Sequence, residues 1–293
     1  MRTATADLPS LHHGRRRVIP HKEGNWPSHI YVEWHPPPPQ HALLRSLLDA
    51  LTSALGPALQ ARAQGQERQE DKGSGRGAGP CCELSGFLES GLGAPLPLHV
   101  SLSRPFVLTT AEKDAFLGEL VAGVEGCGVG GFALVCDALA WHRSPDSERS
   151  FLVLRVRSSC CISSSRSGAR NPELSALLAR CNGLVSSHGQ PVLYAGPQPQ
   201  EQQQQQSHPG NKEVGPGGDD AFHVSIAWSF ASPTDEIRRL TAEVFAQPEF
   251  HDRITKDIMI PVEGVKAKIG NVVTNIGLRG RKGRRGRGLF GEV

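Results

Sequence analysis

Two short segments that share one pattern constrain this chain more than any other feature. The segments are 98–102, Leu-His-Val-Ser-Leu, and 222–226, Phe-His-Val-Ser-Ile. Strict alternation of apolar and polar residues predicts a β-strand, and residues two apart in a strand point to the same face. Each segment therefore places a histidine beside a serine on the face turned away from the core. The pairs are His99 with Ser101 and His223 with Ser225.

The two strands offer a complete acid–base pair if they lie side by side across a groove. Histidine titrates near neutral pH, so one imidazole can accept a proton while the other donates one. Serine hydroxyls can donate hydrogen bonds to a phosphoryl group without adding charge. We therefore predict that His99 and His223 are catalytic and that Ser101 and Ser225 bind a phosphate.

Two other kinds of site fit the motifs less well. A metal centre lacks ligands, because neither motif contains Asp or Glu and the sequence has no H-E-x-x-H pattern. A serine nucleophile lacks the G-x-S-x-G turn that exposes such a residue. We expect no metal and no cofactor.

A phosphodiester beside a 2′-hydroxyl suits this arrangement. One imidazole takes the proton of the 2′-hydroxyl, whose oxygen attacks the phosphorus, and the other gives a proton to the departing 5′-oxygen. The immediate product is a 2′,3′-cyclic phosphate. Because DNA has no 2′-hydroxyl, the pattern predicts cleavage of RNA.

Hydrophobic patterning along the chain predicts an α+β fold. We expect two pseudo-symmetric lobes, each a small antiparallel β-sheet with flanking helices, and the active-site groove between them. A leucine stripe that begins at Leu43 predicts an amphipathic helix closed or kinked by Gly56-Pro57. Val192–Tyr194 is predicted as a short strand.

Composition sets the expected boundaries of the folded part. Residues 25–278 form the predicted phosphodiesterase domain, with disordered insertions at about 64–80, which is charged and glycine-rich, and at 196–220, which contains a glutamine run. Residues 1–24 are predicted to be a disordered, basic N-terminus. Residues 279–293 are a glycine- and arginine-rich tail with six basic residues and one acidic residue. Such a tail is typical of contacts to nucleic acid or to an import receptor.

The composition also limits where such a protein works. No apolar run approaches the roughly 20 residues that cross a bilayer, and the first residues carry Arg15–Arg17 without the apolar core of a secretory signal. The seven cysteines are odd in number and form no C-x-x-C pair, which favours reduced thiols in an intracellular protein. We expect no membrane association.

Four segments resemble a known family. They are 24–32 (Gly-Asn-Trp-Pro-Ser-His-Ile-Tyr-Val), 98–103 (Leu-His-Val-Ser-Leu-Ser), 222–228 (Phe-His-Val-Ser-Ile-Ala-Trp) and 265–271 (Val-Lys-Ala-Lys-Ile-Gly-Asn). The paired His-x-Ser motifs are similar to those of the two-histidine phosphoesterases. Over about residues 20–278 the chain resembles, more closely, the U6 small nuclear RNA phosphodiesterases, and the segment at 222–228 is the most specific.

This resemblance implies a metal-independent 3′–5′ exoribonuclease of the nucleus. It would trim the uridine-rich 3′ tail of U6 snRNA and leave a cyclic or linear terminal phosphate. Carried onto this sequence, His99 is the base and His223 the acid, with the exchange of these roles left open. We also expect a monomer, and the sequence leaves open whether spliceosomal proteins are its partners.

The family also implies aromatic side chains that stack on an RNA base. A tyrosine lies just before the second motif in the family, and Tyr194 is the candidate in this sequence. Trp141 and His142 are the candidates for a second stacking ring in the hairpin, because stacking tolerates different ring types.

Two alternative functions remain open from the sequence. The first keeps the fold and changes the substrate, to the cyclic phosphates of tRNA splicing or to a small cyclic nucleotide. The second is an RNA-binding module without catalysis that uses the basic tail.

Overall fold

The computed structural model describes residues 22–70, 83–144, 147–162, 169–194 and 221–280. The strands are β1 Asn25–Trp34, β2 Ser85–Gly86, β3 Leu98–Ser101, β4 Phe106–Thr109, β5 Phe132–Arg143, β6 Ser150–Ser158, β7 His223–Ser229, β8 Met259–Val262, β9 Gly264–Ile269 and β10 Val272–Gly277. The α-helices are α1 Pro38–Glu70, α2 Lys113–Glu125, α3 Pro172–Ser187, α4 Asp235–Phe245 and α5 Pro248–Asp257. A short 3-10 helix follows β6 at Ser159–Ile162. The mixture of helices with antiparallel strands confirms the predicted α+β class.

The described strands belong to one antiparallel sheet, and this corrects the prediction of two separate sheets. Its order is β10-β9-β1-β3-β7-β6-β5-β8, with β2 also paired to β7 and β4 to β1. The two motif strands, β3 and β7, are neighbours at the centre. Their pairing satisfies backbone groups that two separate sheets would leave as open edges.

One continuous apolar face runs across the centre of this sheet. Val32 pairs with Val100, Val100 with Val224, and Val224 with Leu154. All four side chains are buried in the core. Because opposite residues in a ladder share a face, the alternate residues of these strands, including both His-x-Ser pairs, must project from the other face.

Four of the five α-helices described above pack on this apolar face in two pairs. Helix α1 packs against α4, while α2 packs against α3. The leucine stripe predicted for α1 supplies a large part of the core: Leu43, Leu44, Leu47, Leu48, Leu51, Leu55 and Leu59 are all buried. The four-carbon side chains of this stripe are the main apolar contribution of α1 to folding.

Helix α1 is longer than predicted, and this corrects two expectations. It continues through Pro57 to Glu70, so Gly56-Pro57 does not close it, and residues 64–70 belong to the helix rather than to a disordered insertion. Proline inside a helix costs about 3 kcal/mol. Burial of Leu55 and Leu59 on either side of Pro57 offsets that cost.

Other expectations fall partly or wholly beyond the described residues. The insertion at 196–220 lies outside them, as do residues 1–21 of the N-terminal segment and residues 281–293 of the tail. Arg279 is described, and it forms an ion pair of 3.0 Å with Glu125 on α2. Among the helices that the structure describes, none has the length and apolar character to cross a bilayer.

Candidate active site

The register between the two central strands brings both motifs together. Val100 of β3 lies opposite Val224 of β7 in an antiparallel pair. Extending that register by one residue in each direction places Ser225 opposite His99, and His223 opposite Ser101. The two histidines are then diagonal neighbours, a relation that corresponds to a Cα separation of about 7–8 Å. The predicted catalytic and phosphate-binding residues therefore share one face of the sheet.

The two serines are available to a ligand on that face. Their side chains are partly exposed. Within the part of the chain that the structure describes, neither Ser101 nor Ser225 uses its hydroxyl in a hydrogen bond to protein. Both hydroxyls can therefore donate to a phosphoryl oxygen, as their positions beside the histidines predict.

His223 is held in one tautomer by the backbone. Its Nδ1 lies 2.7 Å from the carbonyl oxygen of Ala221, and because a carbonyl only accepts, this nitrogen must carry the proton and donate. The other nitrogen, Nε2, is then the one left for proton exchange with a substrate. Arg155 of β6 lies opposite His223 in the ladder, so a positive charge borders this half of the site.

Tyr194 reaches the site from a turn and not from the predicted strand. Residues 192–194 form no strand. The side chain of Asn182 on α3 donates to the Leu193 carbonyl at 2.8 Å and accepts from the Leu193 N–H at 3.0 Å. The next residue, Tyr194, has a left-handed backbone with φ of +54°. This conformation costs free energy at a non-glycine residue, so it persists only where the surrounding structure fixes it. The two hydrogen bonds from the Asn182 side chain to Leu193 fix it here.

The turn places the Tyr194 side chain directly beside His223. Its hydroxyl lies 3.5 Å from His223 Nδ1, and the two ring centroids are 6.5 Å apart. Tyr194 thus lies beside the second motif, although residues 195–220 separate the two in sequence.

The hairpin of β5 and β6 contributes His142 to the site but not Trp141. The ring of His142 lies 5.2 Å from that of His223. Trp141 is 8% exposed, and its Nε1 donates to Thr241 of α4 at 2.9 Å. The prediction of Trp141 as a stacking ring is therefore wrong, because adjacent residues of a strand face opposite sides and Trp141 faces the helices.

Strand β1 adds a cluster beside His99 that the sequence analysis missed. Glu33 lies opposite His99 and Tyr31 opposite Ser101, so both share the face of the motif. His29 stacks on Tyr31 with centroids 5.2 Å apart, and its ring meets His99 edge-on at 5.3 Å. The alternation of His29, Tyr31 and Glu33 in the sequence indicates that their side chains share one face of a strand.

Desolvation lowers the pKa of each site histidine in the free protein. Desolvation lowers the pKa of His223 from 6.5 to about 4 and that of His29 from 6.5 to about 3. Desolvation also lowers the pKa of His99, and the Glu33 carboxylate opposes that shift. The pKa of His142 falls for the same reason, with a further contribution from the charge of Arg155. Near pH 7 the site therefore offers neutral imidazoles, which can accept protons.

These pKa shifts predict a loss of stability in mild acid. His29 and His223 bind protons more weakly in the folded chain than in the unfolded one, so the unfolded state gains protons as the pH falls below about 6.5. Stability is full above that pH and decreases until the pH passes the folded pKa values of about 4 and 3. His223 alone accounts for roughly 3 kcal/mol of this decrease. Urea unfolding between pH 7.5 and 4.5 measures it.

A matched variant separates these rings from the carboxylates that also titrate in acid. His29→Gln removes one partly buried imidazole, so its free energy of unfolding should change less with pH over this range than that of the unmodified protein. Identical pH dependence in the two proteins would contradict the assignment.

The donor set on this face suits proton transfer. The described residues contain no group of three or more His, Cys, Asp or Glu side chains placed to hold a metal ion. What the face does combine is two paired imidazoles, two hydroxyl donors and flanking rings. That combination can bind a phosphodiester, remove one proton and supply another.

Comparison with known proteins finds a family model and a relative that match nearly all of this chain. A family model named HVSL, described as an uncharacterised conserved protein, matches residues 1–277. U6 snRNA phosphodiesterase 1 of Neurospora crassa is 35% identical over 287 residues, which are 94% of this chain and 70% of that protein.

Two solved structures of Kluyveromyces marxianus Usb1 share the fold. The first has a TM-score of 0.50 at 14% identity, and the second, with uridine monophosphate, has a TM-score of 0.54 at 13% identity. Each match covers 86% of this chain and 98% of the other. At such identities the likeness concerns the fold alone, whereas the sequence match to the Neurospora protein extends over nearly all of this chain. The chain therefore belongs to the U6 snRNA phosphodiesterase family.

Proposed function

We propose that this chain is a 3′–5′ RNA phosphodiesterase that trims the uridine-rich 3′ end of U6 snRNA. The observation that carries the proposal is the pairing of β3 with β7 around Val100 and Val224, which puts both His-x-Ser motifs on one face. The name of the Neurospora relative supports the choice of substrate. The structure of a relative with uridine monophosphate supports a uridine nucleotide as the bound unit.

In the proposed first step, His99 acts as the base. Its lowered pKa keeps the ring neutral near pH 7, so it can take the proton of the 2′-hydroxyl next to the scissile phosphate. The 2′-oxygen then forms a bond to phosphorus. Ser101 and Ser225 donate hydrogen bonds to the non-bridging phosphoryl oxygens, where negative charge grows in the transition state.

In the same step, His223 acts as the acid. Its pKa of about 4 in the free protein would leave it unprotonated, but the negative charge of a bound phosphodiester raises the pKa of an adjacent imidazole. The hydrogen bond from Nδ1 to Ala221 leaves Nε2 to carry the transferred proton. As the bond from phosphorus to the 5′-oxygen breaks, that proton passes to the leaving oxygen, and a 2′,3′-cyclic phosphate remains.

The departing 3′-terminal nucleoside would lie on the His223 side of the site. Tyr194 and His142 border that side, and their rings offer stacking surfaces for its base. Desolvation raises the pKa of Tyr194, so its hydroxyl stays protonated and can donate a hydrogen bond.

The proposal extends to the architecture and to the setting of the protein. An internal pseudo-two-fold axis would map the strands β10-β9-β1-β3 onto β8-β5-β6-β7. The same axis would map the packing of α1 on α4 onto that of α3 on α2. The strand order and the helix pairs support this relation. We also place the protein in the nucleus as a monomer that meets spliceosomal proteins. The basic residues in the tail support this location.

An oligouridylate with a free 3′ end tests the proposed function. The purified chain should shorten it stepwise from the 3′ end, and EDTA should leave the rate unchanged. Hydrolysis confined to 2′,3′-cyclic phosphates would instead favour the cyclic phosphodiesterase. Binding of the oligomer without any shortening would favour the RNA-binding module.

A further inference from the structure

Two lysines of β9 project onto the same face as the catalytic motifs. Tyr31 of β1 lies opposite Ser101 on one side and opposite Lys266 on the other, and His29 lies opposite Lys268. The alternate residues of β9, Val265 and Ala267, are buried in the core. The side chains of Lys266 and Lys268 therefore extend the face of His99 by two strands, or about 10 Å at the usual strand spacing.

The two lysines differ in what they contact. Lys266 forms an ion pair of 2.6 Å with Glu33, the residue opposite His99. Lys268 is exposed, and among the described residues it has no carboxylate within ion-pair distance. Its positive charge still reaches the site edge, where it contributes to the lowered pKa of His29. A free cation beside stacked rings is suited to an RNA backbone.

The proposed reaction determines which part of an RNA strand lies over Lys266 and Lys268, so the inference about these lysines rests on the proposed function. The base His99 must contact the 2′-hydroxyl of the nucleotide on the 5′ side of the scissile phosphate. The leaving nucleoside occupies the opposite side, next to His223 and Tyr194. The strand upstream of the scissile phosphate must then leave the site across β1 and β9.

We propose that Lys266 and Lys268 of β9 form a binding strip for the RNA backbone upstream of the scissile phosphate. Lys268 contacts an upstream phosphate, and Lys266 adds its charge while it remains paired with Glu33. The stacked rings of Tyr31 and His29 lie between the strip and His99, where they support the intervening nucleotide. This strip makes the enzyme prefer chains longer than a dinucleotide, since UpU has no phosphate upstream of the one that is cleaved.

The test compares UpU with a uridine tetranucleotide in the full-length protein. For Lys268→Gln, the ratio of kcat/KM on the tetranucleotide to kcat/KM on UpU should fall about fivefold, the scale of one lost exposed ionic contact. The slope of log kcat/KM against log salt concentration should become shallower by about 0.7 on the longer substrate. Lys256→Gln is the matched control, because Lys256 lies on α5 and is exposed and paired with Asp252; it should leave both quantities unchanged.

A binding measurement separates failure of this inference from failure of the proposed function. In the His223→Ala background, fluorescence anisotropy with labelled decauridylate reports binding without cleavage, and Lys268→Gln should weaken binding about fivefold relative to Lys256→Gln. If the unmodified chain cleaves no RNA but Lys268→Gln weakens binding, the proposed function fails and the strip stands as an RNA contact. Equal binding by the two lysine variants would overturn the strip, as would an equal fall of kcat/KM on UpU and on the tetranucleotide.

Discussion

Replacing His223 by alanine should lower the rate of RNA cleavage by about 10²–10⁴-fold, and replacing His99 should have an effect of similar size. Each variant removes one proton-transfer group from a site in which the other partner cannot replace it. Single-turnover cleavage of a labelled oligouridylate measures the change. The loss should lie in the chemical step, because the serine hydroxyls and flanking rings that we propose as RNA contacts remain in place.

A surface histidine provides the control for this prediction. His251 lies on α5, with about half of its side chain exposed, so His251→Ala should cleave at the unmodified rate. Anisotropy should show that His99→Ala and His223→Ala still bind the oligomer. Cleavage at the unmodified rate by both active-site variants would refute the assignment of the two catalytic residues.

The second large expected effect on activity comes from removing the hydroxyl of Ser101 or of Ser225. Ser101→Ala and Ser225→Ala should each lower kcat by roughly 10²-fold, because removal of one donor to a developing oxyanion commonly costs this much or more. Both side chains are partly exposed and make no hydrogen bond to the rest of the described chain, so the unfolding midpoint should not change. Steady-state kinetics and a thermal melt measure the two quantities.

Threonine keeps the hydroxyl that alanine removes. Ser101→Thr and Ser225→Thr should therefore retain far more activity than the alanine variants at the same positions. An alanine variant as active as its threonine counterpart would show that the hydroxyl does not contact the phosphate.

The part of this site that could be predicted depends only on patterns among neighbouring residues in the sequence. Alternation in a strand fixes which residues share a face, so the pairs His99 with Ser101 and His223 with Ser225 follow from five-residue segments. The leucine stripe of α1 is equally local.

The part that could not be predicted depends on contacts between distant segments. The union of the two halves through β3 and β7 depends on pairing across more than one hundred residues, which no local pattern encodes. The turn at Tyr194 needs the side chain of Asn182 from α3. Trp141 and His142 are adjacent and both aromatic, so only the register of β5 decides which one faces the helices.

Strand β1 shows a second reason why part of the site could not be predicted from the sequence. Its residues His29 and Tyr31 belong to a segment that carries the family resemblance, but the sequence alone does not place them near either motif. Pairing of β1 between β3 and β9 brings them to His99 and to the lysines of β9. A strand that pairs with one neighbour on each side can therefore bring together residues from three distant parts of the chain.

The most direct test of attack by the 2′-hydroxyl replaces one hydroxyl in the substrate. An oligouridylate with a 2′-deoxy sugar only at the penultimate position lacks the nucleophile needed to release its last nucleotide. We expect this oligomer to stay at full length in EDTA, whereas the all-ribose oligomer loses its 3′ nucleotide. Mass spectrometry should then find a 2′,3′-cyclic phosphate, or the linear phosphate derived from it, on the shortened chain. Release of the last nucleotide from both oligomers at equal rates would contradict the proposed mechanism, because the attacking group would then not be the 2′-hydroxyl.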